Sequence, residues 1–190
     1  PSGIGKTQLV NALQGLISGA SFVNGNPKRY QHVWEYMNQQ SRELIPSSGM
    51  SLRQLLDNEL NDELISKLIN TVSLERRFLT IKNYDEEMNS LSGGEKMKLS
   101  LLFTLWELKK KGKQILILDE PEQGLDEDNR KLIMNNILND VTIPVLCIYH
   151  GNESDIIKFP FTKVWEFEEV KQVSFVKEIN FSSYRKQLIT

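Results

Sequence analysis

Residues 114–120, QILILDE, constrain the fold more than any other stretch of the chain. Four aliphatic side chains in a row leave neither face of an extended segment for water, so the run suits a central strand of a parallel sheet covered on both sides. Residues 145–149, VLCIY, form a second run of the same kind, and residues 125–138 between them repeat apolar positions at helical spacing. Parallel strands need a crossover of a dozen or more residues, usually a helix. The order strand, helix, strand therefore specifies an α/β layered, mostly parallel sheet.

The remaining segments extend that order. Residues 2–15 read as a glycine turn followed by a helix, with Leu9, Val10, Leu13 and Leu16 on one face. Residues 20–25 and 33–37 read as short strands, and Pro46 to Gly49 as a breaker cluster. Leu52, Leu55, Leu56, Leu60, Leu64, Leu68 and Ile69 mark two short amphipathic helices, which end before an irregular loop at 83–90. Ser92 opens a long helix through about Leu108, with Lys109 to Lys113 as its solvated end. The tail alternates from Val164 to Phe175, which suits a closing hairpin. At 190 residues with 39% hydrophobic content, the chain can build one ordinary core. The expectation is a single domain over 1–190, with a helical insertion over 50–91.

A net charge of −2 argues against a surface whose main task is to neutralise nucleic-acid phosphates. The single cysteine, Cys147, lies within an apolar run, so a small core hydrophobe in a reducing compartment is expected. No stretch approaches the roughly 18 to 20 apolar residues that span a bilayer, and no signal peptide precedes the first motif. A soluble chain is the expectation.

Two segments carry phosphate chemistry. Residues 1–7, PSGIGKT, fit the phosphate-loop pattern G-x-x-x-x-G-K-[ST] with its first glycine falling just before Pro1, so the polypeptide is expected to extend upstream. Ser2, Gly3, Ile4, Gly5 and Gln8 would form the turn and helix start, where backbone N–H groups face the β- and γ-phosphates. Lys6 would hold their oxygens and Thr7 a magnesium ion. A glycine turn before a helix also arises for packing alone. Asp119 and Glu120 follow the buried strand, where loops of an open α/β sheet converge on ligands. Asp119 would act through magnesium and Glu120 on an attacking water, while the bland alternative is a strand followed by a helix-capping acid.

The third segment decides between these readings. Residues 91–98, LSGGEKMK, place two glycines after a serine at a helix start, a second anion-binding terminus in one chain. Here the sequence resembles the ATP-binding cassette (ABC) ATPases, matching their signature at Leu91, Ser92, Gly93, Gly94 and Glu95. The resemblance implies a P-loop NTPase fold with a small helical subdomain, Mg-ATP as ligand, and a signature that caps the ATP of a second cassette. It assigns Gln39, with Gln40 as rival, to the magnesium and water, Asp126 to the D-loop, and His150 to contact with the γ-phosphate. Catalysis would then rest on Glu120, His150 and Gln39, and metal binding on Thr7, Gln39 and Asp119.

Several departures stand out. The helix after the signature is about one turn longer than in typical transporters. Asp85, Glu86, Glu87 and Met88 replace a glycine-containing loop before the signature, and Gln123 and Gly124 stand where the D-loop serine is usual. The adenine-stacking aromatic lies upstream in this family. The compact insertion between Lys6 and Ser92 favours an exporter-like transporter domain that dimerises around ATP at the cytoplasmic side of a membrane. Its partners would be a second cassette and a transmembrane domain, with no direct nucleic-acid binding. The alternative is a soluble ABC ATPase acting on ribosomes or nucleic acid, whereas a P-loop kinase or GTPase needs no LSGG helix start.

Overall fold

The computed structural model describes residues 6–13, 33–37, 61–75, 91–150, 156–170, 173–182 and 184. Outside the described residues lie Ser2, Gly3, Ile4 and Gly5, the side chain of Thr7, the expected strand at 20–25, Gln39, Gln40, the breaker cluster, the first insertion helix and the loop at 83–90. The chain divides into two compact units, Pro1–Trp34 with Gly151–Thr190, and Glu35–His150. Among the described residues no helix is long and apolar enough to cross a membrane.

The first unit contains helix α1, Lys6–Leu13, within the stretch where the sequence predicts a helix, with Val10 buried. Its other part is the antiparallel hairpin of β4, Lys163–Val170, and β5, Val173–Asn180. Register pairs Lys163 with Asn180 and Val170 with Val173. Phe159, Phe161, Phe181 and Tyr184 form a row of ring contacts at one end of the hairpin, with Phe159 and Phe181 buried.

The second unit holds the parallel sheet. Its strand order is β1–β2–β3, from Trp34–Met37, Ile115–Asp119 and Val145–Ile148. The central strand is the one whose aliphatic run demanded cover on both faces, and Leu116, Ile117 and Leu118 are fully buried. β2 runs parallel to β3, with Leu116 opposite Val145 and Asp119 opposite Ile148. Cys147 packs half-buried against the core, and burial pushes its thiol well above the usual range.

Helix α2 is Asp62–Thr71, α3 is Gly93–Lys110 and α4 is Glu127–Asp140. α3 has 18 residues, a span of about 27 Å. It buries Met97, Leu99, Leu101, Leu102, Leu105 and Leu108 in one core with Ile65, Leu68 and Ile69 of α2 and Ile133 and Ile137 of α4. Truncating any of the larger aliphatics to Ala would cost about 2–5 kcal/mol. α3 runs two residues past the expected end because Gly112, at φ 59°, terminates it. The Gly112 N–H donates to the Lys109 carbonyl and the Lys113 N–H to the Leu108 carbonyl, a paired closure that glycine accommodates without strain. α4 starts two residues later than its apolar spacing indicates, because Asp126 is its N-cap and accepts from the Asn129 N–H at 2.8 Å.

Polar ties fix the helices to one another. Lys98 of α3 donates to the Asn129 side chain of α4 at 2.8 Å and to the Ser73 carbonyl after α2 at 3.0 Å. Thr71 of α2 donates to Asp140 of α4 at 2.7 Å.

Candidate active site

The site residues of the second unit gather where β2 and β3 end. Adjacent parallel strands deliver their C-terminal residues side by side, so the acids after β2 meet the histidine after β3. Asp119, the last residue of β2, is buried at 6% exposure, and its Oδ2 accepts the Tyr36 hydroxyl at 3.0 Å. Burial and the neighbouring carboxylate raise the Tyr36 phenol far above its usual value, so it remains a donor to Asp119.

Glu120 leaves the strand with φ 53°, a left-handed backbone uncommon for any residue but glycine. Its N–H still bonds the Ile148 carbonyl at 2.9 Å, while its carbonyl accepts the Gln123 N–H at 3.2 Å. The side chain reaches His150, Oε1 to Nε2 at 3.2 Å, and Gln123 Nε2 lies 3.4 Å from Oε2. Both Glu120 and His150 keep part of their surface accessible, at 23% and 36% for the side chains, as a pair acting on an external molecule requires.

Glu122 is buried, and its Oε1 accepts the His150 backbone N–H at 2.6 Å. Burial pushes its carboxyl up, and the His150 amide offsets part of that rise. Asp126, by contrast, is held below the usual carboxylate range by the Asn129 backbone N–H, then by the Asn129 side chain.

The start of α3 is closed by a reciprocal cap. The Ser92 hydroxyl oxygen accepts the Glu95 N–H at 3.2 Å, and Glu95 Oε2 accepts the Ser92 N–H at 2.8 Å. Acting as acceptor leaves the exposed Ser92 hydroxyl its own proton to donate. Leu91 packs against the core, and Gly93 is exposed. A Cβ on Gly94 would stand 3.0 Å from the Gly124 carbonyl oxygen, and Gly124 has φ 80°, so the helix start and the turn after β2 meet through two glycines.

The structure thus brings Asp119, Glu120 and His150 together, and Gly93 and Gly94 with Gly124. Asp126 caps α4 within the same unit. Lys6 and Gln8 open α1 in the first unit. Sequence reasoning missed the contacts of Tyr36 and Glu122. A tyrosine near the end of one strand and a third acid in the buried turn were the available signals, but neither names its partner without the strand order.

Among the described residues no group of three His, Cys, Asp or Glu could hold a metal ion. A lone buried carboxylate oxygen donor at a strand end fits magnesium, which takes one or two carboxylates and completes its shell with water and substrate phosphates.

The family model described as ABC transporter matches residues 1–123. The chain belongs to the ABC transporter family. Among curated relatives, ABC transporter G family member 22 of Dictyostelium discoideum is 29% identical, across 92% of this chain and 31% of its own length. The energy-coupling factor transporter ATP-binding protein EcfA2 of Acetivibrio thermocellus is 27% identical, across 83% of this chain and 59% of its own. The chain spans 31%, 22% and 11% of three curated family relatives, so each extends well beyond the matched part. In fold it is similar to a dimeric ATP-binding cassette in a post-hydrolysis state bound to ADP and Pi, with TM-score 0.61, 16% identity, and 95% and 82% of the two chains covered. A bacterial Atm1-family ABC exporter with ATP bound gives TM-score 0.65 at 18% identity, over 98% of this ABC-family chain and 33% of the exporter. These likenesses establish the P-loop NTPase α/β fold.

Proposed function

We propose that this ABC-family chain binds Mg-ATP and hydrolyses it to power membrane transport. The observation that carries the proposal is the pairing of Glu120 and His150 at the ends of adjacent parallel strands, 3.2 Å apart and partly accessible. Glu120 takes the proton of the attacking water, and its carboxylate is aimed by the left-handed turn and by His150. His150, 3.2 Å from that carboxylate, would contact the γ-phosphate. Lys6, at the start of α1, would neutralise phosphate oxygens, and Ser2, Gly3, Ile4, Gly5 and Gln8 are the further residues this reading assigns to the nucleotide. Asp119, with Thr7 and Gln39, would hold magnesium, which would supply charge neutralisation at the phosphates. Tyr36 donates to Asp119 Oδ2 and so helps orient the carboxylate.

The second half of the proposal concerns a partner. Leu91, Ser92, Gly93, Gly94 and Glu95 present the capped, exposed N-terminus of α3 to the ATP of a second cassette, and Asp126 orders the D-loop beside it. Two cassettes then close around ATP and reopen after hydrolysis, driving a transmembrane domain at the cytoplasmic face. The dimeric cassette and the ATP-bound exporter to which the chain is similar in fold support this assembly.

The test is phosphate release from Mg-ATP by the complete protein, beside light scattering with and without nucleotide. Glu120→Gln should bind ATP, accumulate as a dimer and release little phosphate. Turnover near the parent's would remove Glu120 from its role, and a monomeric inactive variant would remove the ATP-closed dimer.

A further inference from the structure

We infer that Glu122 is a positioning residue for His150: its buried carboxyl replaces a missing rung of the β2–β3 ladder and so holds the imidazole on Glu120. The inference rests on the ATP-hydrolysis reading of the site.

The argument starts from the ladder. In a parallel pair, a residue that donates its N–H to one partner accepts at its carbonyl from the N–H two residues further along. Glu120 donates to the Ile148 carbonyl, so the continuing rung would run from the His150 N–H to the Glu120 carbonyl. That rung is lost, because Glu120 turns left-handed and its carbonyl is given to the Gln123 N–H. The His150 amide goes instead to Glu122 Oε1 at 2.6 Å. The side chain of one residue thus repairs the ladder that the turn two residues earlier breaks.

Three observations make the repair specific. The backbone of Glu122 is tied within the turn, its carbonyl accepting the Leu125 N–H at 3.1 Å. Glu122 is 7% exposed, so water does not substitute readily for its carboxyl. Its other oxygen, Oε2, has no hydrogen-bond partner among the described residues. An unsatisfied buried oxygen is costly, which a residue serving packing alone would avoid by being apolar. Burial raises this carboxyl, so the contact depends on an oxygen at the right reach more than on a full negative charge.

Reach and charge are separable by two conservative variants of the complete protein. Glu122→Gln keeps the chain length and a carbonyl oxygen. Glu122→Asp keeps the charge but withdraws the oxygens by one methylene. The expected result is kcat within about twofold of the parent for Gln and a loss of about 10- to 100-fold for Asp, with the KM for ATP little changed in both. In a His150→Ala background, Glu122→Asp should add less than about a twofold loss, because the residue acts through His150. The reverse order, equal losses in both variants, no loss in either, or an undiminished Asp effect without His150 overturns the inference. The His150 amide proton shift in nucleotide-free protein gives a readout independent of turnover. It should be retained in Gln and move upfield in Asp, and a shift unchanged by both substitutions overturns the contact. A parent that releases no phosphate from Mg-ATP would sink the functional reading, while the amide shift would still decide whether Glu122 holds His150.

Discussion

Ser73 and Glu120 both hold a left-handed backbone, at φ 52° and 53°, yet the two turns work differently. Ser73 closes α2. Its N–H donates to the Asn70 carbonyl and the Leu74 N–H to the Ile69 carbonyl, the same paired closure that Gly112 gives α3. Nothing about a serine side chain is needed for it, and the Ser73 carbonyl is held by Lys98. Glu120 closes a strand, and its backbone turns so that its carboxylate faces His150. A left-handed backbone costs a residue with a Cβ about 1–2 kcal/mol, and the core sustains it in both places. At Ser73 the cost buys a helix end; at Glu120 it aims a side chain.

The sharpest way to break this contrast is Glu120→Gln. Loss of the proposed proton acceptor should slow phosphate release by about 100- to 10,000-fold while thermal unfolding stays close to the parent's. A stability loss as large as the activity loss would mean that the carboxylate holds the turn. Next in size is Lys98→Met, which removes a charged donor from two acceptors and should lower unfolding free energy by about 2 kcal/mol in denaturant titrations, sparing residual turnover. An unchanged midpoint would show that the Ser73 turn stands without it.

Smaller still are the glycine variants. Ser73→Gly should stabilise by up to about 1 kcal/mol with activity retained, because glycine adopts this backbone without steric cost. Glu120→Gly should ease the same strain but abolish turnover. Stabilisation at neither position would remove the strain argument altogether.

The smallest effect is a pH dependence. Glu122 is raised above the ordinary value of 4.5, by burial first, with the His150 amide and its own N–H opposing, Glu120 adding to the rise and Arg130 opposing it. Below 4.5 the group is protonated folded and unfolded alike. As pH climbs, the unfolded chain ionises first, so the stability this residue contributes is lost through its raised folded value. Glu122→Gln lacks that loss, and its stability relative to the parent should grow from acid toward neutral pH in unfolding titrations. A pH-independent difference would remove the raised carboxyl.

The contrast also marks what the sequence made legible. The aliphatic run of β2, the crossover helix and β3 announced a parallel sheet, and strand ends in that order put Asp119, Glu120 and His150 within reach of one another. Tyr36 lies 83 residues from Asp119, and only the neighbour relation of β1 and β2 joins them. Glu122 and His150 are 28 apart and meet through a side chain standing in for backbone, for which no residue pattern exists. Gly112 was a local signal for the end of α3, but Ser73 carries none, because the residue that bends left there is not the one chemistry favours.

Gly94 and Gly124 set a limit on how this sequence can drift. A methyl at Gly94 would stand 3.0 Å from the Gly124 carbonyl oxygen, and one at Gly124 would stand 3.3 Å from the Gly93 backbone, with φ 80° opposing any side chain there as well. Gly93 meets no such neighbour among the described residues. Two motifs separated along the chain are therefore coupled: a side chain at either glycine makes the facing backbone give way by a few tenths of an ångström, and at Gly124 it also meets an unfavourable φ, whereas a side chain at Gly93 asks nothing of its described neighbours.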